Sequence, residues 1–139
     1  MKTTKLALIL CMLVSSYAVA QNVEHALVEQ TISYYLDGGT NNDFELLKKA
    51  FHETATMKFV RKGEYKEVNA LEFFEKAITP GPKQNRTAKI ITIDISGNAA
   101  QAKLTIEYPT FYFMDYMNLL KIDGEWKVVS KIFNRQNKN

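Results

Sequence analysis

From Val23 to about Leu36 the apolar positions Val23, Ala26, Leu27, Ile32, Tyr35 and Leu36 recur at helical spacing, which predicts a first amphipathic helix. Asp37-Gly38-Gly39-Thr40-Asn41-Asn42 then reads as its stop, with a glycine free to take the left-handed C-cap. Asn42 or Asp43 is placed to cap a second short helix from Phe44 to Phe51, with Phe44, Leu47, Ala50 and Phe51 inward. Thr56 to Arg61 and Glu64 to Val68 read as two strands about a Lys62-Gly63 turn. Asn69 opens a third helix with Leu71, Phe74 and Ile78 on one side, closed by Thr79-Pro80-Gly81-Pro82.

The period drops to two from Ala88 onward. Ile91, Ile93 and Ile95 alternate with Thr92 and Asp94, Ser96-Gly97-Asn98 turns, and Ala100, Ala102, Leu104, Ile106 and Tyr108 form one apolar face of the next strand. After Pro109 a long strand runs from Thr110 to Ile122, with Phe111, Phe113, Asp115, Met117 and Leu119 inward and Tyr112, Met114, Tyr116 and Leu120 outward. Apolar residues on both faces imply that both are covered, with a homodimer through the outer face as the expected cover and a longer loop packing there as the alternative. Asp123-Gly124 is a hairpin signal, and the last strand, Trp126 to Phe133, carries Trp126, Val128, Ser130 and Ile132 on one face. Gln136 to Asn139 reads as a fraying tail. Helices first and an antiparallel sheet after them make the fold class α+β.

The front of the chain has a different pattern. Lys2 and Lys5 precede an apolar run from Leu6 to Val14, and Ala18-Val19-Ala20 supplies the small-x-small site of a signal peptidase. Residues 1–20 are expected to be a leader cleaved after Ala20, with residues 21–139 as one secreted or periplasmic domain. The run is about half of the ~20 apolar residues that span a bilayer. Leu10, ahead of the lone Cys11, is too large for a lipid-attachment site.

Composition agrees with one globular domain: 139 residues, 46% hydrophobic, with a single cysteine that rules out a disulfide scaffold. Cleavage would remove that cysteine and two lysines, taking the formal net charge from +3 to +1. So small a charge gives no basic field for nucleic acid or an anionic membrane. Asp37 to Asp43 is oxygen-rich, but Lys48 stands where a calcium loop needs its acid, and two histidines without a carboxylate pattern give no metal site. No cofactor motif is present.

Phe51-His52-Glu53-Thr54-Ala55 and the run from Asp115 to Phe133, with Leu119-Leu120-Lys121 and Asp123-Gly124-Glu125-Trp126-Lys127, resemble the nuclear transport factor 2-like superfamily. Within it they are similar to the bacterial "putative lumazine-binding" group. The resemblance covers about residues 23–134 and implies a cone: a strongly bent antiparallel sheet wrapped around three helices, with a pocket at the wide end. It implies no single activity, because the superfamily hosts isomerases, dehydratases and binding modules. Against the ketosteroid isomerases of this fold, Tyr35 falls at the oxyanion-holding Tyr and Asp115 near the late-strand Asp. The base position falls on Phe59, whose ring takes no proton; a shifted register would offer Lys58 instead. Tyr35 with Asp115 is then either an oxyanion clamp or a buried hydrogen-bonded pair.

His52, at the end of the second helix, is the other candidate base, while His25 reads as surface. The aromatic content points to walls for a flat ligand, with Tyr35, Phe59, Phe74, Tyr108, Phe111, Phe113, Asp115, Met117 and Trp126 as the expected lining. The expected function is binding of a small, flat, partly apolar molecule without catalysis. The alternative is an isomerase- or dehydratase-type enzyme with His52 as base and Tyr35 and Asp115 on the developing charge.

Overall fold

Val28, Thr31, Ile32, Tyr35 and Leu36 are all buried and lie three or four apart, so one stripe of the first helix seats it on the sheet. The stripe is rotated from the expected one: Val23 and Leu27 are exposed, and Val28 and Thr31 take the inward places. Thr31 fits there because its one hydroxyl proton is shared between two carbonyls within reach, its own helix's Leu27 and Trp126 across the core. The computed structural model describes the backbone of residues 2–139 and side chains from residue 21 onward. The expected leader, residues 1–20, lies outside the residues described in full.

The elements are α1 (Lys2–Asn41), α2 (Phe44–Lys48), β1 (Phe51–Arg61), β2 (Glu64–Asn69), α3 (Ala70–Ala77), β3 (Thr87–Ser96), β4 (Ala99–Glu107), β5 (Phe111–Ile122) and β6 (Glu125–Asn137). Asp43 and Asn69 cap α2 and α3, each side chain accepting a backbone N–H three residues on. The six strands form one sheet in the order β2-β1-β6-β5-β4-β3. All pairs are antiparallel except β1 with β6, which run parallel. This is the α+β architecture expected, a curved and unclosed sheet with the helices in its hollow.

Gly38 and Gly39 do not stop α1. The helix continues to Asn41, and Asn42, with φ 55°, takes the left-handed position instead. The glycines serve close approach: a Cβ on Gly38 would lie 2.4 Å from the backbone nitrogen of Leu47, so α2 packs directly on the α1 backbone. The second helix is correspondingly shorter than read, and Phe51 is already the first residue of β1.

Bulges bend the sheet and displace the expected alternation. Ile90 pairs with Leu104 and Thr92 with Lys103, leaving Ile91 as the extra residue, and it is exposed. On β6, Leu119 pairs with Val128 and Asn118 with Ser130, so Val129 is the extra residue. Beyond it the faces exchange: Lys131 is 4% exposed and Ile132 is 50% exposed, opposite to the simple reading of Ser130 and Ile132 as inward. On β5 the alternation holds, with Asp115, Met117 and Leu119 buried and Tyr116 and Leu120 exposed. β6 also runs on to Asn137, where Lys138 ties the end to Glu107, so the tail is less free than composition implied.

Candidate functional site

A cavity of about 230 Å³ lies in the hollow of the sheet, roofed by the end of α1 and by α3. Its walls are mostly rings and alkyl groups: Phe73, Phe74, Tyr108, Phe113 and Phe133, with Leu47, Met57 and Ile106 as floor. Five side chains with polar groups reach it, those of Tyr35, Tyr108, Lys131, Arg86 and Gln84. Apolar walls with a few convergent polar groups are the usual make-up of a small-molecule site. A cavity of about 150 Å³ accepts benzene, so this one suits a ligand of about one or two rings. A cleft of about 310 Å³ beside the β5–β6 hairpin is larger, but it is lined by Leu27, Gln30, Thr31, Tyr34, Lys49 and residues 124–127, with no buried ionisable group.

At the inner end of the cavity Tyr35 donates its hydroxyl to Asp115 Oδ2 at 2.8 Å, and Lys131 Nζ meets the same oxygen at 3.0 Å. Asp115 is fully buried, and its Oδ1 has no partner among the described residues. Three rings surround the ammonium: its nitrogen stands 4.2 Å from the centre of Phe133, 5.4 Å from Tyr35 and 5.9 Å from Phe74. Desolvation lowers the pKa of Lys131, opposed in part by the charge of Asp115. A ring cage offers a cation about 0.5–2 kcal/mol, whereas burying the ion costs several, so the loss of water outweighs the cage. For Tyr35, burial first and Asp115 second hold the phenol well above the usual tyrosine range.

That shift has a sign that can be measured. Above about pH 10 the unfolded chain gives up a tyrosine proton that folded Tyr35 retains. The stability it contributes is complete below that pH and is lost as pH rises further, by about 1.4 kcal/mol per pH unit. Urea titrations from pH 9 to 11 should show a steeper fall for wild type than for Tyr35→Phe; parallel curves would mean that the phenol is not held as described.

Arg86 closes the outer side of the cavity. Its Nε donates to Thr40 Oγ1 at 2.9 Å, Nη1 to the Tyr108 hydroxyl at 3.1 Å and Nη2 to the Leu36 carbonyl at 2.9 Å. The Tyr108 hydroxyl in turn donates to Gln84 Oε1. This network fastens the segment between α3 and β3 to the last turn of α1. Among the described residues Arg86 has no carboxylate partner, and some of its five N–H donors remain uncommitted. With Lys131 balanced by Asp115, the cavity carries one unbalanced positive charge. Gly39 makes room for it, since a Cβ there would fall 2.3 Å from Arg86 Nη2.

The residues expected from sequence divide clearly. Tyr35, Phe74, Tyr108 and Phe113 line the cavity, and Asp115 stands behind it, reached through Tyr35 and Lys131. Phe59 does not line it; it packs one layer out on Phe133 and Phe73. Phe111 stacks on the outer side of Tyr108 and lies against Arg135. Met117 is core, and Trp126 is buried at the opposite end, its indole donating to Glu24 at 2.8 Å.

His52 is outside the site altogether. Phe51 takes the inward place at the start of β1, so His52 turns outward and bonds Thr54. The structure therefore brings Tyr35 and Asp115 together but not His52. Lys131 and Arg86 were missed. The adjacent Val128-Val129 pair, which breaks the alternation just before Lys131, was the available signal for the first; for Arg86 there was none.

The model of the family described as "Putative lumazine-binding" matches residues 23–134. A crystal structure of a nuclear transport factor 2-like protein of unknown function from Shewanella baltica is 30% identical, with a TM-score of 0.76, over 83% of this chain and 95% of that one. A second protein so described, from Methylobacillus flagellatus, is 26% identical with a TM-score of 0.72, over 81% and 92%. Among characterised proteins, the aldolase FrzH of a Cladobotryum species is 24% identical over 113 residues, 79% of this chain and 90% of that protein.

Proposed function

The chain belongs to the family described as "Putative lumazine-binding", of nuclear transport factor 2-like fold, and we propose that it binds a small, flat, partly apolar molecule bearing an acidic or carbonyl oxygen. The observation that carries this reading is the cavity itself: ring-lined, of one- or two-ring size, with Arg86 unbalanced at one side and the Lys131–Asp115–Tyr35 cluster at the other. The rings take the ligand's faces, and the two basic side chains take its oxygens. Similarity to an aldolase makes carbonyl compounds a natural part of the first screen. An enzyme with His52 as base is not favoured, because that imidazole faces away from the cavity.

In this proposal the protein is exported, cleaved after Ala20 and dimeric. The pattern of residues 1–20 supports export. Val60, Tyr65, Tyr116, Leu120 and Ile132, exposed together on the outer sheet face, support a second copy of the chain as cover. Mass and sedimentation of the material from the host would give a chain beginning at Gln21 and twice its mass in solution.

Binding is tested by thermal unfolding with 2-naphthoate, a two-ring carboxylate. Ligand bound only to the folded state stabilises by about 2.7 kcal/mol at a hundredfold excess over Kd. Arg86→Met should weaken binding about tenfold to a hundredfold, the value of a hydrogen bond to a charged group. No stabilisation of wild type by this or related one- and two-ring acids and ketones would defeat the reading.

A further inference from the structure

Lys131 differs from every other lysine described here in lying on the wall of an apolar cavity while being almost wholly removed from solvent. It is carried by the middle of β6 and flanked by β5 and β1, so its position is fixed by backbone pairing rather than by a loop. Its side chain lines the cavity, and its Nζ lies 3.0 Å from Oδ2 of one acid, Asp115. That acid has a second oxygen, Oδ1, buried without a donor among the described residues. A buried carboxylate with an orphaned oxygen is costly, so the surrounding fold must hold this pair in place. The cavity wall thus presents a primary amine beside a carboxyl group and a phenol.

From this geometry we infer that Lys131 is a nucleophile that captures a one- or two-ring aldehyde or ketone as a reversible imine. The inference rests on the binding reading above and names its chemistry. The nitrogen lone pair attacks the carbonyl carbon, a C–N bond forms, and the carbonyl oxygen takes up protons as the intermediate collapses. The two amine hydrogens leave with that oxygen as water, and the C=N bond replaces the C=O bond. Asp115, in contact with Nζ, carries protons between nitrogen and oxygen, and no oxidant or reductant is consumed. The lowered pKa of Lys131 favours the reactive form near neutrality. Phe74, Phe133 and Tyr35 exclude the water that would hydrolyse the product. Arg86, across the cavity, suits an acidic substituent elsewhere on the same ligand.

The test is reductive trapping on the full chain. Protein at pH 7 is incubated with benzaldehyde and cyanoborohydride, digested, and each lysine peptide is scored for a mass gain equal to the probe less one oxygen. Lys131 should carry most of the label, since among the described lysines it alone lines this cavity beside a buried acid. Excess benzyl alcohol, which fits the cavity but has no carbonyl, should slow labelling at Lys131 and nowhere else. Lys131→Arg, which has no primary amine, should abolish that label while labelling of the exposed lysines is unchanged. Labels on exposed lysines with Lys131 unmodified overturn the inference. If benzyl alcohol nevertheless stabilises wild type, the cavity reading stands and only the imine is lost; if it does not, both fail.

Discussion

Lys131→Met should cost about 3–5 kcal/mol of folding stability, a large share of the 5–15 kcal/mol that small domains possess. The methionine fills the aliphatic space but leaves Asp115, fully buried, with Tyr35 as its one donor and Oδ1 still unpartnered. Removing half of a buried pair is what makes the loss large; the pair's net worth is much smaller, because both ions were desolvated to form it. The midpoint of thermal unfolding should therefore fall by roughly 10–20 °C. Replacing the whole cluster, as Lys131→Met with Asp115→Leu and Tyr35→Phe, should recover most of that loss or exceed wild type, since apolar groups of similar volume then fill the site. A single mutant as stable as wild type would mean that the pair is not sealed from water. A stable triple mutant that no longer binds 2-naphthoate would show a polar cluster retained for function at a cost in stability.

The adjacent glycines should respond oppositely to the same substitution. At Gly38 a Cβ meets Leu47 N at 2.4 Å, Leu47 Cα at 2.7 Å and the Asp43 carbonyl at 2.8 Å, all of them backbone. Nothing there can rotate away, so α2 must shift as a unit and take Leu47, a wall of the cavity, with it. Overpacking of this kind costs about 1–3 kcal/mol and here outweighs the ~1 kcal/mol that alanine gains over glycine in a helix. At Gly39 the obstacle is the Arg86 guanidinium, the far end of a flexible side chain. Gly39→Ala should therefore leave stability within about 1 kcal/mol of wild type, with the helical preference offsetting the displaced hydrogen bond to Leu36. Its effect should fall on ligand affinity, about tenfold, because Arg86 is moved from the cavity wall. Urea denaturation and naphthoate titration of the two variants separate these outcomes. Equal effects on stability would mean that the α1–α2 contact is looser than described.

These cases also show where periodicity is a sufficient guide. β4 was legible residue by residue, because one face is buried and no bulge interrupts it: Ala100, Ala102, Leu104 and Ile106 all point inward. The inward set of β5 was legible for the same reason, and it delivered Asp115 opposite Tyr35. The reading failed wherever one extra residue or one close approach resets the local rule. Val129 turns Lys131 inward, Ile91 leaves the face of Ile93, and Gly38 serves contact with α2 instead of ending α1. His52 was misplaced by a boundary, since ending α2 at Lys48 makes Phe51 and His52 successive strand residues on opposite faces. Arg86 follows a run of turn residues, and only the folded chain shows that this segment lies against Thr40 and Tyr108.

The central claim is that the ring-lined hollow holding Tyr35, Lys131 and Arg86 is where this protein meets its ligand. It is tested most directly by backbone and side-chain NMR spectra of the labelled chain titrated with 2-naphthoate. The account expects saturable shifts at Arg86, Tyr108, Phe113 and Lys131, with the Lys131 amine resonance among the most displaced. Shifts confined to the cleft of Thr31, Lys49 and Trp126, or to the outer face at Tyr116 and Ile132, would contradict it.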